Sequence, residues 1–146
     1  MEGRSETVHG TVIAIDGNGV MLQGKSGSGK SDLALRLLEA GARLVADDQT
    51  VLRVTKGQII AEAPPQLSGR LEIRGIGIVD IPVIPEVCVK IVVLLSPEKE
   101  IERLPESKSV AFLGIPVPAI AISAFEASAV AKVKFALNHY GLDQRG

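Results

Sequence analysis

The run Gly24-Lys25-Ser26-Gly27-Ser28-Gly29-Lys30-Ser31 has the G-x-x-x-x-G-K-S spacing of a phosphate-binding loop. Its glycines let the backbone turn with N–H groups pointing inward, and no Cβ holds a phosphate oxygen off. Lys30 is placed to reach the outer phosphates, and the Ser31 hydroxyl to ligate Mg²⁺. Asp47 and Asp48 stand 16 and 17 positions after Ser31, the length of one helix and one return strand. That span brings the pair back beside the phosphates. A carboxylate there can hold Mg²⁺ through water or accept a hydroxyl proton. Strand alternation points the two side chains to opposite sides, so they need not share a task.

Three more residues have types that suit such a site. His9 lies on the strand leading to the loop, either as a catalytic group or as an ordinary satisfied histidine. Glu72 and Arg74 project from one strand face. They read as a metal-bound carboxylate and a phosphate-binding guanidinium, or equally as a surface ion pair. His139 falls in the last turn of the final helix, where a cation complements the helix dipole.

The flanking elements must deliver these groups. Val20-Met21-Leu22 enters the loop as a strand, and Leu33, Ala34, Leu37 and Leu38 mark one face of a helix leaving it, stopped at Gly41. The helix directs its positive end at the bound anion. Residues 8–15 read as a strand with Val8, Val12 and Ala14 on one face. Asp16-Gly17-Asn18-Gly19 turns it into a hairpin with residues 20–23. Residues 44–46 form a short strand ending at the acid pair. Residues 51–55 and 58–62 flank Lys56-Gly57 as a second hairpin, and Pro64-Pro65 breaks regular structure. Residues 71–74 alternate as a strand, and the glycines of 75–80 suggest a loop in close backbone contact with a neighbour. Residues 89–95 are a central strand buried on both faces, and 98–103 a short surface helix. Pro116 and Pro118 confine 110–122 to an edge strand or loop. Ser123-Ala124-Phe125-Glu126 reads as a capping box opening the last helix, with Val130, Val133, Leu137 and Tyr140 at helical spacing and Gly141 as its stop. Two or three helices thus serve eight or nine strands, predicting an α/β fold with a mixed sheet.

Composition sets the limits. The 146 residues are 46% apolar with only Phe112, Phe125, Phe135 and Tyr140 aromatic, predicting one domain over 1–146 with an aliphatic core. A net charge of −1 advertises no basic face for nucleic acid. Cys88 is the lone cysteine, which excludes an internal disulfide and a cysteine metal cluster; it reads as a small hydrophobe beside Val87 and Val89 in a reducing cytoplasm. No apolar stretch reaches the roughly 18 residues of a membrane span. The start, Met1-Glu2-Gly3-Arg4-Ser5-Glu6, is polar and has no secretory core.

His9-Gly10, the loop, Leu44-Val45-Ala46-Asp47-Asp48 and Leu71-Glu72-Ile73-Arg74-Gly75-Ile76-Gly77-Ile78 occur in that order. Together they resemble the catalytic domain of HPr kinase/phosphorylase, closely over residues 8–80 and more weakly beyond. The resemblance implies a P-loop kinase fold of the HPr kinase / phosphoenolpyruvate carboxykinase type and a homo-oligomer, typically a hexamer. It implies ATP and Mg²⁺ as cofactors and a seryl residue of HPr, or of an HPr-like phosphocarrier, as acceptor. By position it makes Asp48 the base, Asp47 its neighbour in support, Glu72 a metal ligand with Ser31, and His9 a phosphate-side group. Arg103, in Ile101-Glu102-Arg103-Leu104, matches an active-site arginine, and Arg74 or Arg103 is expected to neutralise charge.

The chain departs from the family pattern in three places. The N-terminal regulatory domain of longer members is not in this sequence, leaving a catalytic domain. Ile81-Pro82-Val83-Ile84-Pro85-Glu86 is shorter than the usual Gly/Ala-rich partner loop. Residues 121–127 carry no basic residue where the family has an arginine-rich loop tied to phosphorolysis, so the kinase direction is expected and the phosphorylase direction weak or absent. Two rival functions remain: a kinase for a small hydroxylated substrate, and an ATP-sensing regulator without catalysis. The acid pair argues against the second, because binding alone needs no base.

Overall fold

The computed structural model describes residues 4–142; Met1, Glu2 and Gly3 of the polar start lie outside the described residues. In chain order the strands are β1 (Ser5–His9), β2 (Thr11–Ile15), β3 (Asn18–Gln23), β4 (Arg43–Ala46), β5 (Gln49–Thr55), β6 (Gln58–Glu62), β7 (Arg70–Ile73), β8 (Gly77–Asp80), β9 (Val87–Leu95), β10 (Lys108–Phe112) and β11 (Ile115–Ile122). Helix α1 (Lys30–Glu39) follows β3, and α2 (Ala129–Ala136) runs into a π-helical turn, Leu137–Gly141. Nine strands form one mixed sheet in the order β1-β5-β6-β9-β3-β2-β4, with the β10–β11 hairpin joined to β9; β7 and β8 make a separate ribbon.

Strand β9 is the axis of the sheet, as its largely apolar run predicts. It runs parallel to β3 and β11 and antiparallel to β6. Ile91 and Val93 pack with Leu33, Ala34 and Leu37 of α1 and Val133 of α2. Val89 and Val92 pack on the other face with Met21, Leu52 and Ile59. Leu33 and Leu37 are fully buried, and each such side chain contributes roughly 1.5–3 kcal/mol of transfer free energy. Because β4 and β3 both lie antiparallel to β2, the four strands β4, β3, β9 and β11 point the same way. Their carboxyl ends meet at one edge, where α/β sheets place ligands.

The expected first strand, 8–15, is two strands broken at Gly10. Its first half pairs with β5, His9 opposite Gln49, and its second half with β4, Val12 opposite Ala46. Two antiparallel ribbons, residues 5–15 and 43–55, therefore bend at the same height, one at Gly10 and the other at Asp47-Asp48. The two halves still share the expected face, since Val8 packs with Val12 and Ala14.

Four further expectations need correction. Residues 75–80 are a turn followed by β8; a Cβ at Gly75 or Gly77 would meet nothing within 4 Å, so these glycines serve positive φ (91° and 118°) and not close approach. Residues 98–103 hold only the single 3-10 turn Glu98–Glu100, because Ile101 is already extended. Residues 110–122 lie within a hairpin of two strands, and the ladder from β11 to β9 starts only at Ala119, past both prolines. The capping box at 123–126 does not open α2, which begins at Ala129. The Ser123 hydroxyl instead accepts the Phe125 N–H at 3.3 Å, and Glu126 pairs with Lys132. With Gly10, 75–80 and 110–122 resolved this way, the strands among the described residues number eleven.

Candidate active site

The loop at residues 24–31 joins the carboxyl end of β3 to α1. Two glycines there are fixed by space, and one of them by φ as well. A Cβ on Gly24 would stand 2.3 Å from Ser28 Oγ and 3.1 Å from Leu95 Cβ. Gly29, at φ 93°, would place one 2.7 Å from Ala124 Cβ and 2.9 Å from Phe125 Cζ. Ser28 N–H donates to the Lys25 carbonyl at 2.9 Å and closes the turn. Leu33, Ala34 and Leu37 hold α1 to the sheet, so its first turn stays aimed at the cradle. Lys25, Ser26 and Gly27 form the exposed outer lip, and Ser31 is exposed in the first turn of α1.

Lys30 Nζ reaches Asp48 Oδ1 at 3.5 Å, joining the phosphate-binding lysine to the second acid of the pair. Asp48 has φ 69°, the left-handed region that few residues other than Gly, Asn and Asp enter readily. Its backbone is tied on both sides: its carbonyl accepts Gly10 N–H at 2.9 Å, and its N–H donates to Thr11 Oγ1 at 3.1 Å. The Thr11 hydroxyl donates in turn to Asp47 Oδ1 at 3.1 Å. Thr11 is fully buried one residue past the Val12–Ala46 pair that ends the β2–β4 ladder, so its side chain ties the two strands together where their backbone pairing stops. Thr50 Oγ1 closes the same bend by donating to the Gly10 carbonyl at 2.9 Å.

Asp47 is half-buried and Asp48 exposed; both lie past the end of β4, and the left-handed φ of Asp48 takes the pair out of the expected strand alternation. Burial pushes the Asp47 carboxyl above its ordinary value, opposed by hydrogen bonds from the Thr11 hydroxyl and the Glu72 backbone N–H. The Asp48 charge adds to the rise and Lys30 offsets part of it. The bond from Glu72 matters for placement. It brings β7 to the acid pair, with Leu71 buried in the cluster that holds Leu33 and Leu37.

The remaining candidates divide. The His9 carbonyl accepts a 3.0 Å bond from Gln23 Nε2, which sets His9 at the bend beside the end of β3; its ring is exposed. Arg74 does not share a strand face with Glu72, because β7 ends at Ile73 and Arg74 sits in the turn to β8. Arg103 lies in the irregular segment after β9, lining an open depression with Glu102, Leu104, Glu106, Ser107 and Lys108. Among the described residues, none of the ion pairs involves His9, Glu72, Arg74 or Arg103. Cys88 is half-buried, and burial raises its thiol pKa. His139 meets Tyr140 edge to face, ring centroids 4.5 Å apart.

Two residues of the site escaped the sequence reading. Thr11 carries no local signal; its role shows only once 5–15 is aligned with 43–55. Arg36 pairs with Asp32 one turn earlier, a spacing visible in the sequence. It also donates to the carbonyls of Ala124 and Glu126, which only the fold could reveal. The segment after β11 is thereby strapped across the start of α1.

No group of three or more His, Cys, Asp or Glu among the described residues is disposed to hold a metal alone. Mg²⁺ commonly takes one or two protein ligands and completes its shell with phosphate and water. The exposed Ser31 hydroxyl and the carboxylate of Glu72, whose backbone N–H bonds Asp47, are oxygen donors of the kind that smaller requirement calls for. No helix among the described residues is long and apolar enough to cross a membrane.

The HPr Serine kinase C-terminal domain family matches residues 3–146. The HPr kinase/phosphorylase of Burkholderia lata is 40% identical over 127 residues, which is 80% of this chain and 39% of that protein. That of Peptoclostridium acidaminophilum is 51% identical over 78 residues, 53% of this chain and 25% of its own length. The chain thus spans between a quarter and two-fifths of these curated relatives. Among solved structures, the Hpr(Ser) kinase/phosphatase from Coxiella burnetii superposes with a TM-score of 0.81 at 28% identity, covering 91% of this chain and 94% of that one.

Proposed function

The chain belongs to the HPr serine kinase C-terminal domain family, and from that premise we propose that it transfers the γ-phosphoryl group of ATP to a serine hydroxyl of HPr or an HPr-like phosphocarrier. The observation that carries this reading is the 3.5 Å approach of Lys30 to Asp48. It joins the two halves of phosphoryl transfer, charge neutralisation and a proton acceptor, at one end of the parallel strands. The loop N–H groups and Lys30 hold the phosphates. Asp48, exposed and fixed by its backbone, orients the acceptor hydroxyl and takes its proton. Asp47 is the inner support, anchored by Thr11 and the Glu72 N–H. His9 flanks the phosphates, and Arg74 and Arg103 supply charge when a substrate draws their segments in.

Ser31 and Glu72 would hold Mg²⁺ with the phosphate oxygens. The ion, when bound, neutralises charge on the transferred group. Phosphorolysis is expected to be weak, since bringing phosphate to a phosphoserine sets like charges together at roughly 4 kcal/mol for unit charges 4 Å apart in an effective dielectric of about 20. Two cations among the described residues reach 121–127 and both are engaged, Arg36 by Asp32 and two carbonyls and Lys132 by Glu126. Residues 1–146 act as one catalytic domain in the cytoplasm and assemble as a homo-oligomer.

A kinase for a small hydroxylated substrate is the second reading. The 81–86 segment favours it: Ile84 N–H donates to the Leu44 carbonyl at 2.9 Å, so this stretch is pinned along β4 and not free to grip a protein. Incubating the chain with labelled ATP, Mg²⁺ and either HPr or a metabolite pool tests both. Label on HPr that disappears with Lys30→Ala supports the first reading, and label only on a small molecule the second. No transfer to either would refute a kinase.

A further inference from the structure

Phe125 stands out among the exposed apolar residues because it is at the cradle. Its side chain is 69% exposed, yet its ring edge lies against Gly29, with Cζ only 2.9 Å from where a Cβ would be. The backbone carrying it is not loose. Arg36 holds the carbonyls on either side, Ser123 Oγ accepts the Phe125 N–H, and Ala124 is buried beneath. An aromatic ring is therefore held open to solvent, on a braced backbone, at the lip of a phosphate site.

Topology says what it would meet. The loop leaves β3, and its two flanks are the carboxyl end of β4, carrying Asp47 and Asp48, and that of β11, carrying 123–126. β2 separates β3 from β4 on one side, and β9 separates it from β11 on the other. Lys30 turns toward Asp48, so the reacting end of a phosphate chain faces the acid pair. The other end must leave toward β11, where Phe125 is the exposed ring. We infer that Phe125 is a stacking platform for the base of the nucleoside triphosphate. This rests on the proposed function, and specifies the ligand of the same site. Stacking reads a π-face and not an edge pattern, so it favours the larger purines without selecting one by hydrogen bonds.

The test compares two ligands that share phosphates and differ in the base. Binding of Mg²⁺–ATP and of Mg²⁺–inorganic triphosphate is measured by calorimetry on wild type, Phe125→Ala and Phe125→Tyr. The expected result is a roughly tenfold or greater loss of ATP affinity in Phe125→Ala, triphosphate affinity unchanged, and ATP affinity kept in Phe125→Tyr. The chain has no tryptophan, so Phe125→Trp adds a single reporter whose emission should change with ATP and not with triphosphate. Equal losses for both ligands, or no loss for either, would overturn the inference while leaving the cradle intact. So would a Phe125→Ala variant that changes oligomeric state alone, which would make the ring an intersubunit contact. A wild type that binds neither ligand would overturn the inference together with the proposed function.

Discussion

Thr11→Val tests whether the bend at the acid pair is held as described. Valine nearly matches threonine in shape, so packing at this fully buried position is preserved and only the hydroxyl is lost. Two hydrogen bonds go with it: the donation to Asp47 Oδ1 and the acceptance from Asp48 N–H, each 3.1 Å. The first is charge-assisted, worth about 1.5–3 kcal/mol, and the second is a neutral bond of about 1 kcal/mol. Asp47 is only half-buried and Asp48 exposed, so water recovers part of both, leaving a net cost of about 2 kcal/mol. For a chain of this length that corresponds to roughly 6–8 °C in melting temperature. Function should suffer separately. Asp48 loses one of the two backbone ties that keep φ at 69°, and small misplacements of a reacting group can cost about 10²-fold in rate. The assay pairs thermal unfolding with phosphoryl transfer and nucleotide binding. The expected pattern is a lower melting temperature, kcat down about tenfold or more, nucleotide affinity within a factor of about two because the loop is untouched, and recovery in Thr11→Ser. Unchanged melting and unchanged kcat in Thr11→Val would refute the account of the bend.

Further outcomes follow from the same geometry. Asp47 has a folded-state pKa above its unfolded value near 3.8, so the folded chain holds that proton more tightly. The stabilisation is complete below the unfolded pKa, is lost as pH rises through the folded one, and stays lost at neutrality. Asp47→Asn should thus match or exceed wild type in stability at pH 7 and flatten its stability–pH profile above pH 4, while transfer falls; chemical denaturation across pH checks this. Asp48→Asn should keep fold and nucleotide binding, since Asn also enters the left-handed region, and lose about 10²-fold in transfer; lost Mg²⁺–ATP affinity with unchanged chemistry would make Asp48 a metal-water ligand. Gly29→Ala should abolish nucleotide binding, because its Cβ would clash with Ala124 Cβ at 2.7 Å; calorimetry with Mg²⁺–ATP decides.

The parts of the site legible in the sequence are those fixed by local chemistry. The loop, its helix, the Asp16-Gly17 turn and the strand ending at Asp47-Asp48 each follow from residue type and spacing within a few positions. Failures came where a distant partner decided the local outcome. Gly10 breaks its strand because the opposing ribbon bends at Asp48, 38 positions later in the chain. Ser123 and Glu126 have capping-box spacing, but Arg36 claims the carbonyls of that stretch and the helix starts three residues later, at Ala129. Gly75 and Gly77 signalled unusual backbone correctly; whether they served φ or close contact depended on neighbours that no local pattern identifies.

The place of β9 in the sheet has a consequence for how the chain becomes active. Every candidate site residue except Arg103 and Phe125 is contained in residues 9–74, yet β3, the strand that carries the loop, pairs with β9, which is not complete until Leu95. During synthesis at roughly 5–20 residues per second, the catalytic groups emerge seconds before the strand that supports them. Until then β3 exposes one edge and the apolar side chains of Val20 and Leu22. Order in the nascent chain is thus set by a late, non-local pairing, the slow kind of step in folding. A ribosome stalled between residues 80 and 90 would already have made the loop and the acid pair but not the strand that supports them, and this window is where a chaperone would have most to hold.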